Sequence, residues 1–337
     1  MPDLRDIICT FFFGLGGLAA AALLGRPLLA WLGRLQVGQQ VRELGPKSHY
    51  KKSGTPTFGG FIFMLPITVG TVVIALGWPG ARGLIPLLIY ALALLATGFA
   101  DDYVKVRINK KGLSPLAKSI PMFVATAAFV LWYLSGHMTL PVLLVPFTKL
   151  RLEITGWWRL PYAVFAFLYL YYIANSVNIT DGVDGLLSSV TIPVALLLGL
   201  GGELLGLPGT GGYARLGSLM TGALLGFLIY NRHPARVFMG DTGSLALGGL
   251  LAGMGLVTGS PWIFLSAGFI FCAESLSVII QRAYYRRTGG RRIFRMSPIH
   301  HHFELGGWPE PVIVRRFTLV TVLGSLLGLA AWWLQLG

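Results

Sequence analysis

The sequence predicts an all-α, polytopic membrane protein with about ten transmembrane helices, and three observations carry that prediction. Of its 337 residues 54% are hydrophobic and 12% charged, whereas soluble domains carry about 25% charged residues. The apolar residues come in blocks of roughly 17–25, the length needed to cross a hydrocarbon core about 30 Å thick. The blocks lack the period-2 alternation of barrel strands, so backbone groups inside lipid must be satisfied within helices.

In chain order the spans fall near 7–25, 57–77, 84–100, 119–136, 160–176, 186–204, 214–231, 242–258, 262–281 and 317–335. The first reads as an uncleaved anchor. Its leading Arg5 is offset by Asp3 and Asp6, and Arg26 and Arg34 lie beyond it, the reverse of a secretory signal. Cys9 and Cys272 both fall in apolar spans without metal spacing and read as small buried hydrophobes. No internal repeat or soluble domain stands out, so residues 1–337 read as one integral membrane domain.

The net charge of +14 is explained by where it sits. The stretches 26–56, 101–118, 175–185, 231–241 and 282–316 hold 21 of the 27 Lys and Arg. The positive-inside rule makes that side cytoplasmic and puts both termini outside, on the periplasmic face. Topology thus accounts for the basic excess. No nucleic-acid partner is needed, and the lipid bilayer itself is the partner implied.

An Asp at the centre of a membrane helix costs about 2.5–3.5 kcal/mol, so acids at span ends need a reason. Asp101, Asp102, Asp181, Asp184 and Asp241 all fall at ends or joints on the cytoplasmic side, from three separate stretches. Each alone reads as a cap or a partner for a nearby lysine. Together they predict an active site in the cytoplasmic loops.

The run Gly98-Phe99-Ala100-Asp101-Asp102-Tyr103-Val104-Lys105 closes the third span. Adjacent helical residues point about 100° apart, so one Asp takes metal or proton duty while the other meets Lys105 or a structural partner. A helix C-terminus repels carboxylates, which calls for a compensating cation. In the run 175–185, Asn175, Asn178, Asp181 and Asp184 recur every third position, and Gly182 and Gly185 predict a break that lets both carboxylates converge with the amides. Asp241 precedes the eighth span and reads equally as an N-cap or as an oxygen ligand for Mg²⁺.

His300, His301 and His302 follow Pro298 in the most basic stretch. Three consecutive residues cannot share one helix face, so they make a poor zinc site; as donors to phosphate oxygens they fit. Lys52 and Lys118 read either as positive-inside anchors or as phosphate contacts. An ion-coupled transporter would place its acids near the midplane in repeat-related halves, and this sequence shows neither feature.

The segments GTPTFGG (54–60), GFADDYVKV (98–106), NSVNITDGVDGL (175–186), VFMGDTGSLALGG (237–249) and RIFRMSPIHHHFELGGWPEP (292–311), in that order, resemble the phospho-N-acetylmuramoyl-pentapeptide-transferase family of polyprenyl-phosphate N-acetylhexosamine-1-phosphate transferases. Phe58, Ser176 and Thr242 depart from the family pattern without removing a needed functional group. The resemblance implies that UDP-N-acetylmuramoyl-pentapeptide meets undecaprenyl phosphate, giving lipid I and UMP in peptidoglycan synthesis. It implies Mg²⁺ held by Asp241 and Asp181, Asp101 and Asp102 activating the lipid phosphate, and Asn175, Asn178, Asp181 and Asp184 lining the nucleotide and metal site. Asn231 and Phe238 are the implied uracil contacts. Lys52, Lys105, Lys118, His300, His301 and His302 are the implied phosphate contacts. A transferase for another UDP-sugar is the alternative, and the pattern admits a homodimer.

Overall fold

The computed structural model describes residues 4–34, 54–136, 141–205, 210 and 212–336. Lys52 lies outside the described residues. The helices are α1 Leu4–Arg34, α2 Gly60–Gly77, α3 Leu84–Arg107, α4 Pro115–Ser135, α5 Arg159–Thr180, α6 Leu186–Leu205, α7 Tyr213–Asn231, α8 Gly240–Val257, α9 Ile263–Ser266, α10 Phe269–Arg287, α11 Ile299–Glu304 and α12 Glu310–Leu336. The sheet among the described residues is one antiparallel hairpin, β1 Val142–Leu144 with β2 Arg151–Glu153, in which Leu143 faces Leu152.

Among the described residues eight helices are long and apolar enough to cross a membrane: α1 to α7 and α12. They expose large apolar side chains such as Phe11, Leu76, Leu168 and Leu323, as lipid-facing surfaces do. The two other spans predicted from the sequence take a different form. The window 242–258 is α8, in which every residue from Thr242 to Val257 is buried. Protein surrounds it, so glycine is as suitable there as leucine. The window 262–281 breaks at Ala267–Gly268 into α9 and α10, and α10 ends in Arg286 and Arg287.

Glycine lets the helices around α8 approach at backbone distance. A Cβ on Gly98 of α3 would lie 2.1 Å from the Asp241 carbonyl oxygen, and one on Gly248 would lie 2.7 Å from Cα of Ala174 on α5. α8 therefore packs directly on α3 and α5, with α2 and α6 alongside. The segment before α2 is stitched to the segment before α8: Phe238 N–H donates to the Pro56 carbonyl (2.8 Å), and Gly59 N–H to the Phe238 carbonyl (2.9 Å).

Local signals set the helix ends that matter. Ser114 accepts from the Ala117 N–H (3.2 Å) and Pro115 follows it, an N-cap with proline at the first position of α4. The predicted break after α5 is present: the helix stops at Thr180, Gly185 adopts φ 74°, and α6 begins at Leu186. Gly185 supplies a left-handed conformation that a side chain would resist. Elsewhere Arg215 on α7 pairs with Asp6 on α1 and lies 4.6 Å over the Trp78 ring, closing the α1–α2–α7 group.

Candidate active site

Four helix ends meet: the C-termini of α3 and α5 and the N-termini of α4 and α8. Asp241, in the first turn of α8, is the hub. Its Oδ2 lies 2.7 Å from Lys105 Nζ and 2.6 Å from Lys118 Nζ, and its Oδ1 accepts from Asn178 Nδ2 at 2.9 Å. Asn178 also donates to Ser244 Oγ (2.8 Å) one turn further along α8. Asp241 is thus no N-cap; its carboxylate is turned sideways into the cluster.

The cap of α8 comes instead from α3. Asp102 Oδ2 accepts from the Thr242 N–H (2.9 Å) and the Thr242 hydroxyl (2.7 Å). This carboxylate satisfies an otherwise orphaned donor at a helix N-terminus, where negative charge is favoured. Thr242, which departs from the family pattern at this position, supplies one of the two bonds. Asp101 is held differently: its Oδ2 lies 2.7 Å from Lys105 Nζ and 3.5 Å from Lys118 Nζ, and its Oδ1 accepts from the Leu113 N–H at 2.7 Å. The last bond folds the α3–α4 loop back so that Lys118 faces the site. The Asp pair therefore divides its work as helix geometry requires, and Asp101 and Asp241 share both lysines.

The two carboxylates of the turn after α5 feel each other's charge but take different partners. Asp181 accepts from the Gly240 backbone and joins the Asp241 cluster. Burial, then repulsion from Asp241, Asp102 and Asp184, pushes its carboxyl up to about 8. Asp184 turns toward other elements. Its Oδ2 accepts from the Ala235 N–H (3.1 Å) and lies 3.1 Å from His233 Nδ1, and its N–H donates to Glu310 Oε2 (3.2 Å). Asp184, His233 and Glu310 each offer one ligand atom within 4.8 Å of the others, a group able to hold a metal ion. His233 and Glu310 were missed in the sequence; only the fold brings the α7–α8 loop and the start of α12 to this turn.

The remaining predicted residues sit around these clusters with distinct tasks. Asn231 braces backbone at both ends of its amide, accepting from the Gly185 N–H (3.1 Å) and donating to the Val237 carbonyl (2.9 Å). Asn175 donates to the Tyr171 carbonyl of its own helix (2.7 Å). Phe238 is half-buried beside the α8 entrance.

The histidines of α11 diverge, as three consecutive residues must. His300 is buried, with Nδ1 3.0 Å from Glu274 Oε2 on α10. His301 Nδ1 pairs with Glu304 Oε2 (3.1 Å), and His302 Nδ1 accepts from the Arg295 N–H (3.1 Å). Only His300 reaches the α5–α6 turn, where a Cβ on Gly182 would lie 2.2 Å from its Nε2. Glu274 was also missed, although an acid inside the predicted ninth span is itself a functional signal.

Fold and site together define the class: a multi-pass, all-α membrane protein with a mixed-charge cluster assembled from distant segments at the ends of its helices. The family model described as Glycosyl transferase family 4 matches residues 84–259, the stretch that supplies every member of the Asp241 cluster. Curated relatives named phospho-N-acetylmuramoyl-pentapeptide-transferase are similar along nearly the whole chain. The one from Carboxydothermus hydrogenoformans is 43% identical, covering 95% of this chain and 96% of its own. Those from Moorella thermoacetica and Acetivibrio thermocellus are 42% and 41% identical, covering 91% and 98% of this chain and 93% and 95% of theirs. The chain belongs to glycosyl transferase family 4, among the phospho-N-acetylmuramoyl-pentapeptide-transferases.

Proposed function

We propose that the protein transfers phospho-N-acetylmuramoyl-pentapeptide from its UDP-linked form to undecaprenyl phosphate, giving lipid I and UMP for peptidoglycan synthesis. It works at the cytoplasmic face of the bacterial inner membrane with both termini outside. The observation that carries this reading is the cluster in which, among the described residues, Asp101, Asp102, Asp181 and Asp241 are set against Lys105 and Lys118.

That balance fits Mg²⁺. Among the described residues four carboxylates face two ammonium groups, an excess of two negative charges when all are ionised, and burial followed by repulsion from Asp241, Asp102 and Asp184 raises the Asp181 carboxyl. Hard oxygen donors suit Mg²⁺, whereas the imidazole in the Asp184–His233–Glu310 group suits transition metals better. Asp241 and Asp181 would hold the ion, which when bound neutralises phosphate charge.

The chain's own groups supply the rest. Lys105 and Lys118 offset repulsion between two anionic reactants, the main obstacle in phosphoryl transfer. Asp101 faces the same lysines, so it orients the lipid phosphate and removes any remaining proton. A phosphate monoester with a second pKa of about 6 needs no stronger base. An acceptor oxygen then bonds to the sugar-bearing phosphorus as the pyrophosphate P–O bond breaks, and UMP leaves with the bridging oxygen. Asp102 keeps α8, and with it Asp241, in place.

The test is turnover by the purified protein in nanodiscs with undecaprenyl phosphate. UDP-N-acetylmuramoyl-pentapeptide should be consumed and UDP-N-acetylglucosamine should not; the opposite preference overturns the substrate assignment. Rapid-quench trapping without lipid checks direct attack, since a stoichiometric labelled protein adduct would require an aspartyl-phosphate route.

A further inference from the structure

Glu274 has no solvent exposure and stands on α10, inside the stretch the sequence predicts as the ninth span. A fully buried acid is costly and calls for a partner. Glu274 Oε2 lies 3.0 Å from His300 Nδ1 and accepts from the His300 backbone N–H at 3.4 Å. Two buried atoms of the pair, Glu274 Oε1 and His300 Nε2, have no hydrogen-bond partner among the described residues. Orphans of this kind are rare in native structures and mark strain, chemistry or an unseen partner. Nε2 abuts Gly182, where a Cβ would lie 2.2 Å away, and Gly182 directly follows Asp181. One chain of contacts thus runs from a fully buried carboxylate, through an imidazole, to the turn that carries a site carboxylate.

With Nδ1 engaged by the Glu274 carboxylate, Nε2 is the ring nitrogen left facing the turn. A phosphate oxygen at that position offers lone pairs, so an imidazole that meets it through Nε2 does so as a donor.

We propose that Glu274 is a positioning residue for the transfer reaction, holding His300 so that Nε2–H is presented beside Gly182 as a donor to a phosphate oxygen of the bound nucleotide. This rests on the transferase reading above. Without the carboxylate the ring is free to rotate or change tautomer, and the donor is withdrawn although no substrate contact has been deleted.

Glu274→Gln keeps side-chain length and one acceptor while removing the charge. In nanodiscs its kcat should fall about tenfold to a hundredfold, as for other outer partners of a functional histidine, with KM for the UDP-sugar nearly unchanged. His300→Ala should lose at least as much, and the double variant should match His300→Ala alone. Glu274→Asp should recover part of the loss. A purely structural role would instead lower thermal stability and spare kcat per folded molecule.

Ring-¹⁵N NMR, with the His300 signal assigned by its loss in His300→Ala, reads the pair without turnover. In the wild type Nδ1 should be hydrogen-bonded, and UMP with Mg²⁺ should shift Nε2; in Glu274→Gln that shift should vanish. Losses that multiply in the double variant, or an Nε2 signal indifferent to UMP, would overturn the proposal. If the wild type shows no transferase turnover, the proposed function fails, and the NMR arm still decides the Glu274–His300–nucleotide contact.

Discussion

Asp181 and Asp184 stand three residues apart on one turn, yet their surroundings differ in kind. Asp184 shares its group with one other carboxylate, Glu310, and is itself met by donors: the Ala235 N–H and His233 Nδ1. Asp181 joins a cluster of carboxylates around Lys105 and Lys118, and burial first, then repulsion from Asp241, Asp102 and Asp184, raises its carboxyl to about 8. The first arrangement satisfies a buried acid and thereby ties the α5–α6 turn to the α7–α8 loop. Among the described residues the second leaves negative charge in surplus. A surplus is what a protein keeps when a ligand is to complete the balance, so the lesson is to count charges in each cluster before assigning it work.

The most direct way to break the contrast is Asp241→Asn. On the surplus side it removes the hub, and turnover should fall by about a thousandfold or more while the protein still inserts and purifies. Near-normal turnover at low Mg²⁺ would refute the metal assignment. Gly98→Ala acts on the same side through packing. Its Cβ would lie 2.1 Å from the Asp241 carbonyl, so α3 and α8 must separate, at a cost of about 1–3 kcal/mol. The melting temperature should drop, and activity should fall even in the folded fraction; an unchanged melting curve would show that α8 is not held by that approach.

Asp184→Asn probes the satisfied side. It should cost about 1–3 kcal/mol of stability, the penalty for leaving buried donors poorly matched, with a smaller effect on kcat than Asp241→Asn. If it abolished turnover without altering stability, Asp184 would belong with the reacting groups.

The mildest test varies pH. A carboxyl raised in the folded state contributes stability at low pH that is lost as pH rises from about 4 through 8, because ionising it becomes unfavourable. Metal binding takes the ionised form and releases the proton. Apparent Mg²⁺ affinity should therefore rise by up to about tenfold per pH unit below 8 and flatten above it. The Mg²⁺-induced rise in melting temperature should grow in parallel. Asp181→Asn should remove this slope and Asp184→Asn should not; a flat profile in the wild type would count against Asp181 as a ligand.

Much of this was legible before any coordinates. Block length and missing alternation gave the all-α membrane fold, and the gathering of Asp101, Asp181 and Asp241 followed from acids at span ends on one side. The break after Thr180 was readable from Gly182 and Gly185. What the sequence hid depended on direction. A three-residue ladder shows that Asp181 and Asp184 are near each other, but the turn geometry decides which partners each one meets. Asp102 could not be recognised as the cap of α8, because its partner Thr242 lies on another helix. His233 and Glu310 carry no local signature at all.

The burial of α8 has a consequence for how the protein is made. A helix with six glycines between Gly240 and Gly255 and an aspartate in its first turn gains little by facing hydrocarbon alone. The flanking helices α3 and α5, both apolar enough to cross unaided, are synthesised first and offer it a protein surface. Membrane entry of α8 is therefore coupled to assembly, and the segment that carries the hub carboxylate is stably inserted only once its neighbours are in place.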